Sequence, residues 1–429
     1  MERFWYFPTL AWLSAEDPAL VAISIAGIVC AVLAFCGIGV RLCLIAMFVL
    51  YTSIVSIGTP FMSFQWDSLL LETGFLAVFF SSGKLWAPIW KTPLEAEAPP
   101  NKIIVILFRL LLFRLMFLSG AVKLLSGDQA WLSMTAMEYH YWTQPLPTPA
   151  GWLIGQMPAW FQRLSVAMMF FIELIVPFAL LLTRPCRIFA GVCFIMLQVL
   201  IAITGNYAFF NLLTVALCIP LFDDQILHRV WKRLPEIKLV ESTPPWATRG
   251  ALALAVLLGT AGFCQIAETK FDLPQPLKQF KGIFEHLNIV NGYGLFAVMT
   301  TTRLEIAIEG SMDGDTWVPY VFKYKPGPVD RAPPLVAPLQ PRLDWQMWFA
   351  ALGDIEQNTW LLSFVRRLLQ NEPSVIALLQ TNPFPEKPPR YIRATMYDYR
   401  FSDLKTLTEK GQWWKSTERH AYMPPVSLK

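Results

Sequence analysis

The chain has 429 residues, 55% of them hydrophobic and only 15% charged, against the roughly 25% charge of soluble domains. Mean hydropathy is +0.44 and the net charge is +4, which excludes a wholly soluble globule. No basic run interleaved with aromatics points to nucleic acid.

The N-terminal Glu2-Arg3-Phe4-Trp5-Tyr6-Phe7 is too aromatic for a cleavable signal and reads as an interfacial segment, with Trp5 and Tyr6 at headgroup level. Apolar windows follow at Pro18–Val40, Arg41–Gly58, Phe64–Phe80, Lys102–Leu125, Phe161–Leu182, Cys186–Ile203, Phe209–Phe222 and Ala251–Ile266. Each approaches the ~20 residues that cross a bilayer. They predict an α-helical polytopic membrane domain of about eight spans over residues 1–268. A soluble α+β domain rich in β-hairpins is predicted over 269–429. All seven cysteines lie in or beside the helical windows, so the C-terminal domain is not disulfide-stapled.

The connections alternate in charge. Arg41, then Lys84, Lys91 and Lys102, then Arg184 and Arg187, then Arg229, Lys232, Arg233, Lys238 and Arg249 mark one side, and the opposite turns are nearly bare. By the positive-inside rule the rich set is cytoplasmic, placing the N-terminus and the C-terminal domain on the non-cytoplasmic side.

Several windows contain groups that hydrocarbon excludes. Asp67 and Glu72 lie in the third, Arg109, Arg114 and Lys123 in the fourth, and Glu173 in the fifth, just before Pro177. A charge at mid-bilayer costs about 2.5–3.5 kcal/mol even on insertion scales, so these side chains must face the bundle interior and pair. Two readings remain open: interhelical ion pairs of Asp67 or Glu72 with Arg109 or Arg114, or a polar cavity open to the outside.

The outer loop 126–160 is dense in aromatics and prolines and carries Glu138, His140, Tyr141 and Gln144. A connection this long is functional or folded into the surface, and its aromatics suit a membrane-interface lid. His140 fits either a packed, hydrogen-bonded histidine or an acid/base or ligand role. No metal-spaced partners accompany it, and no metal or cofactor is called for.

In the C-terminal part, Arg303–Glu309 alternates as a half-buried strand and Gly310–Asp315 forms an Asp-Gly turn. Trp317–Tyr324 alternates again, so a hairpin is expected, and Arg390–Phe401 reads as another strand. The Gly-Ser-x-Asp-Gly-x-x-Trp pattern around Trp317 resembles turns of discoidin-like β-sandwiches. Asp344–Leu352 and Thr359–Gln370 look helical. Trp345, Trp348 and Phe349 fall on one face, which is either core or an interfacial face for bilayer or client. Asp344, beside Arg342, has the chemistry of an N-cap. No Ser-His-Asp arrangement, nucleophile elbow or phosphate loop occurs, so the domain reads as a binding module rather than a catalyst.

Long strings in this chain resemble the lipase maturation factor family. They are Phe64-Gln65-Trp66-Asp67-Ser68-Leu69-Leu70-Leu71-Glu72-Thr73-Gly74-Phe75, Phe113-Arg114-Leu115-Met116 to Lys123, Tyr139-His140-Tyr141-Trp142-Thr143-Gln144-Pro145-Leu146-Pro147, Gly205-Asn206-Tyr207 with Phe210-Asn211, Val290-Asn291-Gly292-Tyr293-Gly294, Tyr324-Lys325-Pro326-Gly327 and the run Arg342 to Ala351. The resemblance covers nearly the whole chain in order. It implies a membrane protein of the endoplasmic reticulum in animals, or of the inner membrane in a bacterium, needed for folding and assembly of secreted dimeric lipases. Clients are engaged through lumenal parts; here Trp317, Arg342, Asp344, Trp345 and Trp348 are the expected contacts. Family members usually begin with one further spanning helix and a lumenal loop. This chain starts about where that loop ends, as a short member would. A second, short similarity, Ser119-Gly120-Ala121-Val122-Lys123-Leu124 followed by Trp131, is to the vitamin K-dependent gamma-carboxylase and related membrane domains. It implies a catalytic lysine, and with it the alternative of a membrane enzyme or transporter using Lys123, His140 and Glu72.

Overall fold

The computed structural model describes residues 6–81, 83–87, 100–223, 225–226, 245–268 and 272–428. Trp5 and the loop charges Lys91, Arg229, Lys232, Arg233 and Lys238 lie outside the described residues. All eight apolar windows form helices. They are α1 (Asp17–Phe35), α2 (Val40–Ile57), α3 (Gln65–Phe80) and α4 (Lys102–Leu125), then α5 (Ala136–Thr143) and α6 (Pro149–Gly155) in the loop. α7 (Ala159–Phe170), α8 (Arg184–Thr204), α9 (Phe210–Cys218) and α10 (Pro245–Glu268) follow.

Among the described residues five stretches are long and apolar enough to cross a membrane: Asp17–Phe35, Val40–Ile57, Lys102–Leu125, Ala159–Leu181 and Arg184–Thr204. The others fall short of the expected eight spans for concrete reasons. α3 has 16 residues and includes Asp67 and Glu72, so at ~1.5 Å per residue it reaches only ~24 Å. The apolar parts of α9 and α10 are short, Phe210–Leu221 and Trp246–Gly262.

Helix ends follow local chemistry. Pro18 sits in the first turn of α1, where its missing N–H costs nothing, beside Asp17 at the positive end of the helix dipole. After α7 the helix loosens into a π-turn, Phe171–Ile175, and a 3-10 turn, Val176–Leu181. Pro177 cannot donate to the carbonyl one turn back, which accounts for the broken ladder.

The chain divides into two compact units. The first comprises residues 1–122, 171–195 and 213–295. The second comprises 123–170, 196–212 and 296–429. Within the first, Gly120 lies where an added Cβ would come within 2.9 Å of Glu173 Cβ and the Leu174 side chain; glycine there permits the close approach of α4 to the π-turn. After α10 comes α11 (Gln275–His286), which the sequence reading did not single out.

In the second unit the sheet order is β2-β1-β5-β6, built from β1 (Arg303–Ser311), β2 (Val318–Pro319), β5 (Tyr391–Phe401) and β6 (Trp414–Val426). β1 and β5 pair antiparallel from Arg303↔Tyr399 to Ser311↔Tyr391. A smaller sheet joins β3 (Val321–Phe322) to β4 (Leu379–Thr381). The expected hairpin from Trp317 to Tyr324 is truncated: β2 pairs with β1 at only Glu309↔Pro319 and Gly310↔Val318. Pro319 has no N–H with which to extend the ladder, and β3 turns to β4. Two helices pack on the larger sheet, α12 (Arg342–Ala350) against β1 and α13 (Thr359–Leu369) against β5.

Candidate functional site

The loop 126–160 is folded rather than draped. Asp128 caps a helical turn, accepting from Ala130 N at 2.9 Å, and its other oxygen accepts from Met299 N at 3.2 Å. α5 follows, then a buried stretch from Thr143 to Thr148, then α6, whose first turn is capped by Thr148 through Gly151 N. Indoles tie the loop to the strands: Trp131 Nε1 donates to Phe296 O at 2.9 Å and Trp152 Nε1 to Trp413 O at 3.0 Å. Gln156 Nε2 donates to Ser402 O at 3.0 Å.

The centre of this assembly is Arg303, the first residue of β1, which is fully buried. Its guanidinium donates to Trp142 O at 2.9 Å, to Gln144 O, to Pro145 O at 2.8 Å and to Glu305 Oε1 at 2.9 Å. Glu305 Oε2 in turn pairs with Lys325 Nζ at 2.9 Å, and that ammonium donates to Ile306 O and Pro326 O at 3.2 Å. Burial pulls the Arg303 guanidinium's pKa down, and the Glu305 carboxylate opposes that pull. Alternation marks Arg303–Glu309 as a half-buried strand. Residues i and i+2 do share a face, but that face is covered by residues 142–145. The available signal was an arginine and a glutamate in one strand followed by Lys325 in a Tyr-Lys-Pro-Gly string with no carboxylate of its own.

Gln144 and His140 occupy the same unit. Gln144 Nε2 donates to Thr204 O at 2.8 Å, while its Oε1 accepts from Tyr207 OH at 2.8 Å. His140 Nε2 lies 3.2 Å from the Tyr207 hydroxyl, and its ring meets Phe296 edge-on at 4.8 Å. Burial, aided by the charge of Lys123, pushes the His140 pKa down to about 4, so the imidazole is neutral at physiological pH. The packed, hydrogen-bonded reading of His140 fits this geometry. Tyr141 is buried, and Glu138 accepts the Trp142 indole N–H on its main-chain oxygen at 2.9 Å. Lys123 is buried with its ammonium 5.4 Å from the centre of the Trp131 ring.

Burial decides between the two readings of the aromatic stripe on α12. Trp345 and Trp348 are inside, and Trp348 Nε1 donates to Thr143 O at 2.8 Å, so the stripe is core and only Phe349 remains exposed. Asp344 is not the N-cap expected: α12 begins two residues earlier, with Pro341 at the cap. The buried carboxylate instead accepts from Tyr324 N and Lys325 N, both at 2.8 Å. Burial raises its pKa and those N–H groups oppose the rise. Arg342 is half-buried. Trp317 keeps part of its surface, with the Arg393 guanidinium 4.3 Å over its ring.

The intramembrane polar residues resolve in the first unit, apart from Lys123. Arg114 Nη1 meets Glu72 Oε1 at 2.8 Å. Glu72 Oε2 accepts from Tyr293 OH at 2.8 Å and from the main-chain and side-chain nitrogens of Asn291 at 3.2 Å. Arg114 Nη2 reaches Asn291 O at 2.6 Å. The Asn291-Gly292-Tyr293 string is therefore the counterpart of the Glu72–Arg114 pair. Asp67 accepts from the Tyr51 hydroxyl, and Arg109 donates to Pro220 O at 3.5 Å. Among the described residues no group of three or more His, Cys, Asp or Glu is arranged to hold a metal.

Comparison with known proteins gives the same outline. Residues 1–229 match the family described as lipase maturation factor transmembrane domain, and residues 289–424 the lipase maturation factor C-terminal domain. Lipase maturation factor 2 of Gallus gallus is 34% identical, the alignment covering 98% of this chain and 74% of that protein. Lipase maturation factor 1 of Mus musculus is 35% identical over 99% of this chain and 77% of its own length. The Homo sapiens lipase maturation factor 1 is 34% identical over 100% and 78%. No solved structure matches. With both parts matched in order and a third of positions identical from end to end, the chain belongs to the lipase maturation factor family.

Proposed function

We propose that this chain is a membrane-bound maturation factor that assists folding and assembly of exported lipases or similar clients. Its site is the assembly of the 126–160 loop with the C-terminal strands. The observation that carries the reading is the Arg303 clamp, which holds three loop carbonyls against β1 and so presents loop and strands as one rigid surface. Family membership supplies the class of client. The resident membrane is that of the endoplasmic reticulum in a eukaryote or the inner membrane in a bacterium. The proposed membrane part has about eight spans, with α3, α9 and α10 added to the five long ones, and the charge alternation supports a non-cytoplasmic N-terminus and C-terminal domain. Trp317 and Arg342 are the accessible members of the expected contact set. Asp344, Trp345 and Trp348 act from within by shaping the surface. The enzyme alternative loses one of its three residues, because both Glu72 oxygens are engaged in structural hydrogen bonds.

The test is co-expression with a secreted dimeric lipase, reading active enzyme in the medium. The full chain should raise activity, and Trp317→Ala with Arg342→Ala should lower it without loss of the membrane protein. A chain ending at Glu268 should insert but give no activation. If that truncated chain supported the lipase fully, the proposal would be wrong.

A further inference from the structure

The ten residues from Ala332 to Pro341 carry no charge and include four prolines. Leu335 is 72% and Leu339 67% exposed. Among the described residues, comparable exposure of large apolar side chains occurs at Leu13, Phe35, Leu125, Trp160 and Trp246, of which Phe35, Leu125 and Trp160 stand at ends of membrane-spanning stretches. The position of the segment explains the likeness. Asn206, two residues past the end of α8, clamps it: Asn206 Nδ2 donates to Pro334 O at 2.9 Å, and Asn206 Oδ1 accepts from Val336 N at 2.7 Å and Ala337 N at 3.0 Å. α8 has 21 residues, or about 30 Å at ~1.5 Å each, the thickness of the hydrocarbon core. Its Thr204 end, and the segment fixed to it, therefore lie at a bilayer surface, whichever side that is.

The backbone chemistry suits the same place. Hydrocarbon penalises every unpaired main-chain N–H. Between Pro333 and Pro341 the prolines have none, and three of the five remaining N–H groups, those of Val336, Ala337 and Leu339, are bonded. Prolines and clamp also stiffen the segment, so little freedom is lost on insertion.

We propose that Leu335 and Leu339 form a monotopic wedge that enters the lipid leaflet beside the outer end of α8 and seats the C-terminal strands on the membrane. The occupant of this apolar face is lipid. The inference rests on the membrane-spanning helices and is independent of the client proposal.

The experiment places a diazirine-bearing leucine analogue at position 335, 339 or 312 of the full chain in phosphatidylcholine nanodiscs, and reads lipid adducts by mass spectrometry after illumination. Met312 is the control. It is apolar and 48% exposed, and it follows the far end of β1, about 26 Å along the strand from Arg303 at ~3.3 Å per residue. Lipid adducts at 335 and 339 should exceed those at 312 by about ten-fold or more, as for an apolar group buried at the acyl boundary. Yields no higher than at 312 would show the leucines facing water and overturn the proposal. Crosslinks to a second copy of the chain in place of lipid would overturn it too, assigning the face to self-association.

Discussion

Removing the one carboxylate that joins two buried cations tests the clamp directly. In the wild type, Arg303 and Lys325 both bond Glu305, and Asp344 adds a second negative charge near Lys325. Glu305→Gln keeps the shape but leaves two buried cations against one carboxylate already committed to backbone N–H groups. Breaking a buried pair in this way costs about 3–5 kcal/mol. Arg303→Met leaves the Glu305–Lys325 pair intact and orphans the loop carbonyls, each worth about 1–3 kcal/mol when left dry. Lys325→Met leaves Arg303–Glu305 intact but loses the ion pair to Glu305 Oε2 and two longer bonds, about 1.5–3 kcal/mol. Both Glu305→Gln and Arg303→Met should therefore do more damage than Lys325→Met. For a unit of this size each kcal/mol moves the melting midpoint by about 2–4 °C, so Glu305→Gln should fall by roughly 6–20 °C. Tryptophan fluorescence of the full chain in nanodiscs, followed on heating, gives the midpoints. A Lys325→Met midpoint as low as that of Glu305→Gln would refute the charge argument.

Acid should weaken the second unit through His140. Its folded pKa, about 4, lies below the ordinary 6.5, so above pH 6.5 neither state is charged and it contributes nothing. As pH falls from 6.5 to 4, the unfolded chain takes a proton that the folded chain refuses, and stability drops by up to about 3 kcal/mol. His140→Phe should flatten that limb between pH 6.5 and 4; melting curves that stay parallel to wild type would rule it out. Gly120→Leu should push α4 off the π-turn and cost about 1–3 kcal/mol by overpacking, seen as a lowered midpoint and yield, whereas normal values would mean the contact yields freely. Tyr293→Phe should lose only about 1 kcal/mol, but Glu72→Ala should lose about 3–5 by stranding Arg114. Equal midpoints for the two variants would show that the carboxylate is not the centre of the cluster.

Hydropathy found the eight helices α1–α4 and α7–α10 because burial in lipid needs one property, apolarity over a length. It overcounted long spans where that property is diluted, as by Asp67 and Glu72 in α3. Strand β1 was legible from its alternation and α13 from its apolar face. β6 was not: its middle, Lys415 to Ala421, is exposed along a sheet edge, and Pro424 and Pro425 follow, so it lacks both alternation and apolar content. The clamp was invisible for another reason. Arg303 and Glu305 look solvated until the loop that covers them is known to fold back across 158 residues of sequence. Asn206 was noticed only as part of a resembling string, since three main-chain bonds from one side chain leave no periodic trace.

That separation also orders events during synthesis. Pro145 leaves the ribosome 158 residues before Arg303, an interval of about 8–30 s at ~5–20 residues per second. Among the described residues the helices α6 to α11 are made in that interval while the loop's carbonyls wait without their guanidinium. The loop can reach its final form only after the membrane helices are placed and the first strand has emerged. Any protein that must recognise the finished surface therefore meets it only after the first strand is made, and a ribosome stalled before residue 303 would display a loop with no partner.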